Sequence, residues 1–322
     1  MADDRSDDDR VDDARPHDER PLDPVPADDA AVDDDGGAAT RISDAGRSLD
    51  AVSYLEGLVA AGGAGDTVTT GFPSLDALLG GGMRRGDLVV LAGDVGSGKS
   101  SLALAMALRV AEEGQGVALF SGEGSSSRLL ERALAAEGRV RLDDLRHGRL
   151  DEAAYARVAA AALALRAHPA LLAPLPPTGL PGLSDLLIEH LGLALLVVDP
   201  LQALAVGRQA QEEELAHVVR QLKELAVRRN CAVLLVTHLA TPVRGRDDPR
   251  VRLEDLGALG TLRQLSDVVL GLYREELYEP SRDVEGAAEV HVLKQRGGGT
   301  GYADLYFYKQ WLRVEDMVDP AR

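Results

Sequence analysis

Hydrophobic residues are spread unevenly along this chain, and the unevenness divides it. Residues 1–45 are rich in Asp, Pro and Ala, with no large apolar residue at a regular period. Such a segment cannot bury enough surface to offset its ordering entropy, so it reads as a disordered acidic tail. Leu49, Val52, Leu55 and Val59 then recur at helical spacing, which predicts a short amphipathic helix over 48–60 standing apart from the core. Gly62-Gly63-Ala64-Gly65 follows, so residues 46–65 read as a linker helix and a flexible link.

Beyond residue 66, apolar runs alternate with helical periods. The stretches 88–91, 117–121, 170–173, 193–198 and 232–236 predict strands, and 101–111, 128–136, 151–165, 183–190 and 213–229 predict helices. Ser74 is expected to cap a further short helix carrying Leu75, Leu78 and Leu79, which Gly80-Gly81-Gly82 ends. Shorter strands at 268–273, 289–293 and 302–308 close the pattern. The alternation predicts an α/β fold: a mostly parallel, twisted sheet flanked by helices and extended by antiparallel strands near the end. One domain over 66–316, with a short tail at 317–322, accounts for the 322 residues.

Composition sharpens this picture in three places. Aromatic residues make up 3% of the chain, so the core must rest on Leu, Val and Ala. The single cysteine, Cys231, opens an apolar run and reads as a buried, inert thiol. The net charge of −18 is concentrated: residues 1–35 carry 15 acidic side chains and 4 arginines, leaving −7 for the rest. A nucleic-acid site would therefore be a local basic surface, not a global field. The tail is a solubilising arm, an acidic arm for a protein partner or a mimic of nucleic acid. No run is long enough to span a membrane and the acidic N-terminus has no secretory pattern, so a soluble, cytoplasmic protein is expected.

The chemistry centres on Gly93-Asp94-Val95-Gly96-Ser97-Gly98-Lys99-Ser100, a G-x-x-x-x-G-K-S loop between a predicted strand and a predicted helix. Its glycines let the backbone wrap a phosphate chain, so that successive N–H groups and the helix start, Ser101 included, face the anion. Lys99 would reach the β- and γ-phosphates of ATP, and Ser100 would offer its hydroxyl to Mg²⁺. Asp199 closes the apolar run Leu195-Leu196-Val197-Val198, where a carboxylate holds the same Mg²⁺ or merely caps a helix. Glu123 follows another strand and is placed either to deprotonate the attacking water or as a surface carboxylate. Thr237-His238 ends a third strand, where His238 is a γ-phosphate sensor or a satisfied edge histidine. Lys294 and Arg296 precede Gly297-Gly298-Gly299, and are either solvated or donated to a neighbouring subunit's nucleotide. Arg244, Arg246, Arg250 and Arg252 form a basic segment that contacts nucleic acid or pairs with Asp247, Asp248, Glu254 and Asp255.

Together these residues resemble the C-terminal motor domain of DnaB-type replicative helicases, within the RecA-like P-loop ATPases. The resemblance spans roughly 48–315 and rests on Thr70-Gly71-Phe72-Pro73-Ser74-Leu75-Asp76, on Asp199-Pro200-Leu201-Gln202-Ala203-Leu204, on the stretch 267–274 and on Lys294-Gln295-Arg296. It implies a ring-forming homo-oligomer, a hexamer, that acts on single-stranded DNA. It adds Gln202 to the nucleotide site and makes Lys294 and Arg296 cations that act in trans. It also implies that the helix over 48–60 docks on the adjacent subunit. The chain departs from the family in having the acidic tail where the helical N-terminal domain is expected, and in Thr237-His238 where Ser-Gln is common. It has Gly257 and Ala258 where the DNA-contacting loop carries Arg-Glu, which leaves the backbone around Gly257 and Gly260, the arginines upstream and Arg263 as DNA contacts. Ser121-Gly122-Glu123 also resembles the RadA and KaiC branches, whose regulatory ATPases control a protein partner without unwinding DNA.

Overall fold

A computed structural model of the chain describes residues 41–44, 47–60, 66–188, 192–205, 211–280 and 284–317. The expectations for the tail over 1–40, the glycine link at 62–65 and residues 318–322 lie outside these. The chain divides into two units, 1–56 and 57–322. In the first, β1 (Arg41–Asp44) pairs antiparallel with β2 (Arg47–Asp50), so 41–44 form a strand where an irregular tail was expected. Helix α1 (Ala51–Ala60) begins three residues later than its apolar period predicts. The reason is a cap: the Asp50 carboxylate accepts from the Ser53 backbone N–H at 3.2 Å and hydroxyl at 3.1 Å, and Ser48 and Leu49 belong to β2.

The second unit opens with β3 (Thr67–Val68), α2 (Pro73–Leu78) and β4 (Met83–Arg84). Ser74 does not cap α2. Phe72 takes that position with Pro73 as the first helical residue, and the Ser74 N–H donates to Asp316 instead. Then follow β5 (Leu88–Gly93), α3 (Lys99–Glu112), β6 (Gly116–Ser121), α4 (Ser126–Gly138), α5 (Leu142–Arg146), α6 (Glu152–Ala167), β7 (Ala170–Pro174), α7 (Leu180–Ile188) and β8 (Leu193–Asp199). The chain closes with α8 (Gln211–Arg229), β9 (Ala232–Thr237), α9 (Thr261–Leu265), β10 (Val268–Tyr273), β11 (Ala287–Gln295), β12 (Gly301–Tyr308) and β13 (Arg313–Asp316).

Nine strands form one sheet in the order β13-β12-β11-β10-β5-β9-β8-β6-β7. The six from β10 to β7 are parallel, and β11, β12 and β13 extend the sheet antiparallel, as expected. The central strands are buried on both faces because each face carries its own apolar layer. Val89 and Leu91 of β5 pack into the layer under α3, whereas Leu88, Val90 and Ala92 pack into the layer under α8. This alternation is the period of two that a strand imposes. Cys231 is buried before β9, where burial pushes its thiol up to about 11 and keeps it protonated. Among the described residues no helix is long and apolar enough to cross a membrane.

Candidate active site

Parallel strands point their C-terminal ends at one edge of the sheet, and four of those ends carry the predicted chemistry: Gly93 on β5, Ser121 on β6, Asp199 on β8 and Thr237 on β9. Between β5 and α3 the loop turns at Gly96 (φ 81°) and Gly98 (φ 99°), a region that disfavours side chains. A Cβ at Gly93 would lie 2.7 Å from Ser97 Oγ and 2.9 Å from the Leu272 carbonyl. Lys99 is buried and its Nζ donates to the carbonyls of Gly93 and Asp94, both at 2.9 Å. Burial lowers its pKa, against the charges of Asp199, Asp94 and Glu123. The Ser97 hydroxyl is buried without a hydrogen-bond partner. Val95 stands exposed on the loop. The Ser101 hydroxyl, at the start of α3, accepts from Arg132 at 3.2 Å.

Asp199 is buried at the end of β8 and accepts from the Ser100 hydroxyl. Burial raises its pKa and Glu123 adds to this, while Ser100, Arg132 and Lys99 oppose it. Glu123 is exposed two residues beyond β6, with Oε1 3.8 Å from His238 Nε2, too long for a hydrogen bond. Gln202 bridges the strand ends: its amide donates to Thr237 Oγ1 at 3.0 Å and accepts from the His238 N–H at 3.3 Å. The structure thus brings Lys99, Ser100, Glu123, Asp199, Gln202 and His238 to one edge.

Lys294 and Arg296 are elsewhere. In the sheet register Leu272 lies beside Gly93, whereas Val268 lies beside Val89 and opposite Gln295. Arg296 is therefore at the opposite end of β5 from the phosphate loop, about 15 Å away at the usual rise per residue. Lys294 donates to the carbonyls of Arg263 (2.6 Å), Gln264 (3.3 Å) and Ser266 (2.7 Å) at the end of α9. Arg296 is half exposed, donates to Gln264 O at 2.9 Å and lies 3.4 Å from Asp267.

The basic segment is mostly ion-paired, in part as the pairing alternative expects, with Arg246 on Asp255 and Arg250 near Asp248, and in part with the more distant Asp94 and Glu289. Arg244 reaches the phosphate loop, with Nε 2.9 Å from Asp94 Oδ2, and Tyr278 donates to the same oxygen at 3.2 Å. Burial pushes the Asp94 carboxylate up, but Arg244, the Val95 N–H and Tyr278 outweigh it and hold it below its ordinary range. Arg246 pairs with buried Asp255 through two hydrogen bonds. Arg250 pairs with Glu289 through two bonds of 2.7 Å and lies over the Tyr273 ring. Arg252 and Arg263 are exposed and form no ion pair among the described residues. Between them Ala258 (φ 58°), Leu259 (φ 51°) and Gly260 (φ 77°) form a left-handed run. The Leu259 N–H donates to Glu212 at 3.1 Å, and a Cβ on Gly257 would come within 3.1 Å of the same carboxylate.

The family model for the DnaB-like helicase C terminal domain matches residues 67–316. The chain belongs to this DnaB-like family. It is 30% identical over 268 residues to the replicative DNA helicase DnaB of Geobacillus stearothermophilus and 29% identical over 264 residues to the replicative DNA helicase DnaC of Bacillus subtilis (strain 168). Each alignment covers 79% of this chain and 58% of the relative, so the chain matches little more than half of either. Among solved structures, an isolated ATPase domain superposes with a TM-score of 0.75 at 23% identity, over 83% of this chain and 97% of that one. A DnaB-like replicative helicase solved with its interactions with primase gives 0.76 at 22%, over 83% and 66%.

Within this DnaB-like domain, sequence reading missed Arg132, Tyr278 and Arg274. Arg132 had a legible signal: Leu129, Ala133 and Ala136 are the buried stripe of α4, and a cation at position 132 falls on that stripe. Its guanidinium is desolvated, which lowers its pKa, and Asp199 and Glu123 counter this. Arg274 is buried behind the phosphate loop, over the Phe307 ring, with its guanidinium 3.5 Å from the Gly96 carbonyl and paired with Glu276. Tyr278 and Arg244 lie 184 and 150 residues from Asp94, so no local pattern links them to the loop.

Proposed function

We propose that this chain is an ATP-driven, DnaB-like motor that forms a ring, a hexamer by the family resemblance, around single-stranded DNA and hydrolyses ATP between subunits. The observation that carries the reading is the separation of the machinery across one sheet. Loop, Asp199 and Glu123 share one edge, while Arg296 lies at the other, out of reach of its own loop. A cation so placed cannot serve its own loop, which supports a role at a neighbour's site.

In this reading residues 93–101 cradle the triphosphate of ATP, and Lys99 exchanges its two loop carbonyls for the β- and γ-phosphates. The residues fit Mg²⁺: Ser100 and Asp199 already present two hard oxygens to each other, and Ser97 keeps a buried unpartnered hydroxyl nearby. The bound ion supplies charge neutralisation to the phosphates. Glu123, open to solvent, orients and deprotonates the attacking water, and His238 beside it responds to the γ-phosphate. Arg296 neutralises charge in trans, while Lys294, committed to three carbonyls of its own chain, anchors the hairpin that carries it. Helix α1 exposes Val52, Leu55 and Val59, an apolar face that would dock on the adjacent subunit. The reading places the motor in the cytoplasm.

The paired state of Arg244, Arg246 and Arg250, with Glu212 on the Leu259 N–H, favours a second reading. It is a regulatory ATPase, similar to the RadA and KaiC branches, that controls a protein partner, for which the acidic tail is the candidate arm. ATP turnover with and without single-stranded oligonucleotide, together with unwinding of a forked duplex, separates the two. The motor reading predicts DNA-stimulated turnover and strand separation. Turnover indifferent to DNA and no unwinding would leave the regulatory reading.

A further inference from the structure

Arg296 is not merely placed at the sheet edge; it is held there. Its backbone N–H donates to the Asp267 carbonyl at 2.9 Å, its Nε lies 3.4 Å from Asp267 Oδ1, and one terminal nitrogen donates to Gln264 O at 2.9 Å. The remaining guanidinium donors are unused and the side chain is 53% exposed. Asp267 itself cannot turn. It is buried just before β10, and its Oδ2 accepts from the Leu88 N–H at 2.8 Å and from Lys223 Nζ at 2.6 Å. Lys223 is fixed in turn by the Gly86 carbonyl at 2.8 Å. One carboxylate oxygen is therefore locked to β5 and α8, which leaves the other aimed at Arg296.

Arginine is among the most rotamer-rich side chains, and an exposed one with no anchor spreads over many orientations. A cation that must meet a transferring phosphate across a subunit boundary works only near one of them. We propose that Asp267 is the positioning residue for the trans cation, fixing the Nε side of Arg296 so that its outer face is presented to the neighbouring subunit. Asp267 touches neither nucleotide nor water and acts through Arg296. The proposal rests on the interface-hydrolysis reading above.

The test sorts variants by the subunit in which they act. The full-length oligomer carrying Asp267→Asn should bind ATP as the parent does but turn it over about 10- to 100-fold more slowly, the scale of a misplaced catalytic group. Asp267→Ser, which keeps a polar side chain too short to reach Arg296, is the second variant with the same expectation. Mixed with Glu123→Gln subunits, either variant should recover turnover, because an intact Glu123 then meets an intact Asp267–Arg296 pair from the neighbour. Mixed with Arg296→Ala subunits it should recover nothing, because no subunit in the ring offers a positioned cation. In an Arg296→Ala background, Asp267→Asn should cost no further rate. Parent-like turnover, recovery with Arg296→Ala, or recovery with neither partner while Glu123→Gln and Arg296→Ala do complement each other, each overturns the proposal. If Glu123→Gln and Arg296→Ala fail to complement although subunits exchange, the interface reading itself fails and takes the positioning role with it.

Discussion

The two ends of β5 are built on opposite principles. At its C-terminal end the reactive groups are satisfied within their own chain: Lys99 by two loop carbonyls, Asp199 by Ser100, Asp94 by Arg244 and Tyr278. Most of them are buried. At its N-terminal end Lys223 and Asp267 form a rigid base from which Arg296 projects with donors to spare. The closed end carries the phosphate loop, where the exposed cation Arg244 is committed to Asp94, and the open end carries Arg296 with donors to spare. In the proposed ring, stacking copies edge to edge would bring the open end of one subunit to the closed end of the next.

The contrast can be broken from either side. Arg296→Ala at the open end should lower turnover by about 10³–10⁵, the scale of a trans cation in nucleotide hydrolases, with nucleotide affinity nearly unchanged. Steady-state ATPase rates and equilibrium titration with a fluorescent nucleotide check both halves of that statement. Glu123→Gln at the closed end should cost about 10²–10⁴ in rate, because the amide fills the same space but takes no proton. Nucleotide affinity should again hold, and a parent rate would place the base elsewhere.

Smaller effects sharpen the comparison at its margins. Glu212 accepts from the Leu259 N–H, and in the motor reading a nucleic-acid phosphate would compete for that donor. Glu212→Gln removes that negative charge, so single-stranded oligonucleotide should bind several-fold more tightly at low salt in fluorescence anisotropy, with the gain shrinking as salt rises. The open end also predicts a pH effect. Burial, helped by Asp267, raises Asp87 to about 6 from an ordinary 3.8. Between those values the folded chain binds a proton that the unfolded chain does not, so this group's contribution to stability falls as pH rises through the window. Asp87 is half-buried, and solvent screening leaves the effect on the order of 1 kcal/mol. Asp87→Asn should therefore melt higher than the parent at pH 7.5, with the difference gone below about pH 4.

Much of the closed end was legible in the sequence, because its requirements are local. A loop that turns at Gly96 and Gly98 and ends in Lys99-Ser100 dictates its own geometry, and strands buried on both faces announce themselves as unbroken apolar runs such as Leu193–Val198. Short elements were not legible: β3 and β4 are two residues each, and the hairpin of β1 and β2 offers too few positions for a period. The start of α1 followed its Asp50 cap and not its apolar spacing. The partners of the basic segment were only partly legible, for a different reason. Arg244 finds Asp94, and Arg250 finds Glu289, 150 and 39 residues away, and spacing along a chain carries no record of such partners. Arg132 and Asp267 lay between these extremes, each a charge in an apolar context whose purpose only the packing reveals.

The central claim is that one active site draws on two subunits, and mixing tests it most directly. Glu123→Gln and Arg296→Ala proteins, each inactive as a homo-oligomer, are combined and allowed to exchange subunits, with exchange followed by energy transfer between labelled chains. The account predicts that ATP turnover reappears on mixing, because some interfaces then join an intact Glu123 to an intact Arg296 from the neighbour. Full exchange with no recovered turnover would contradict it.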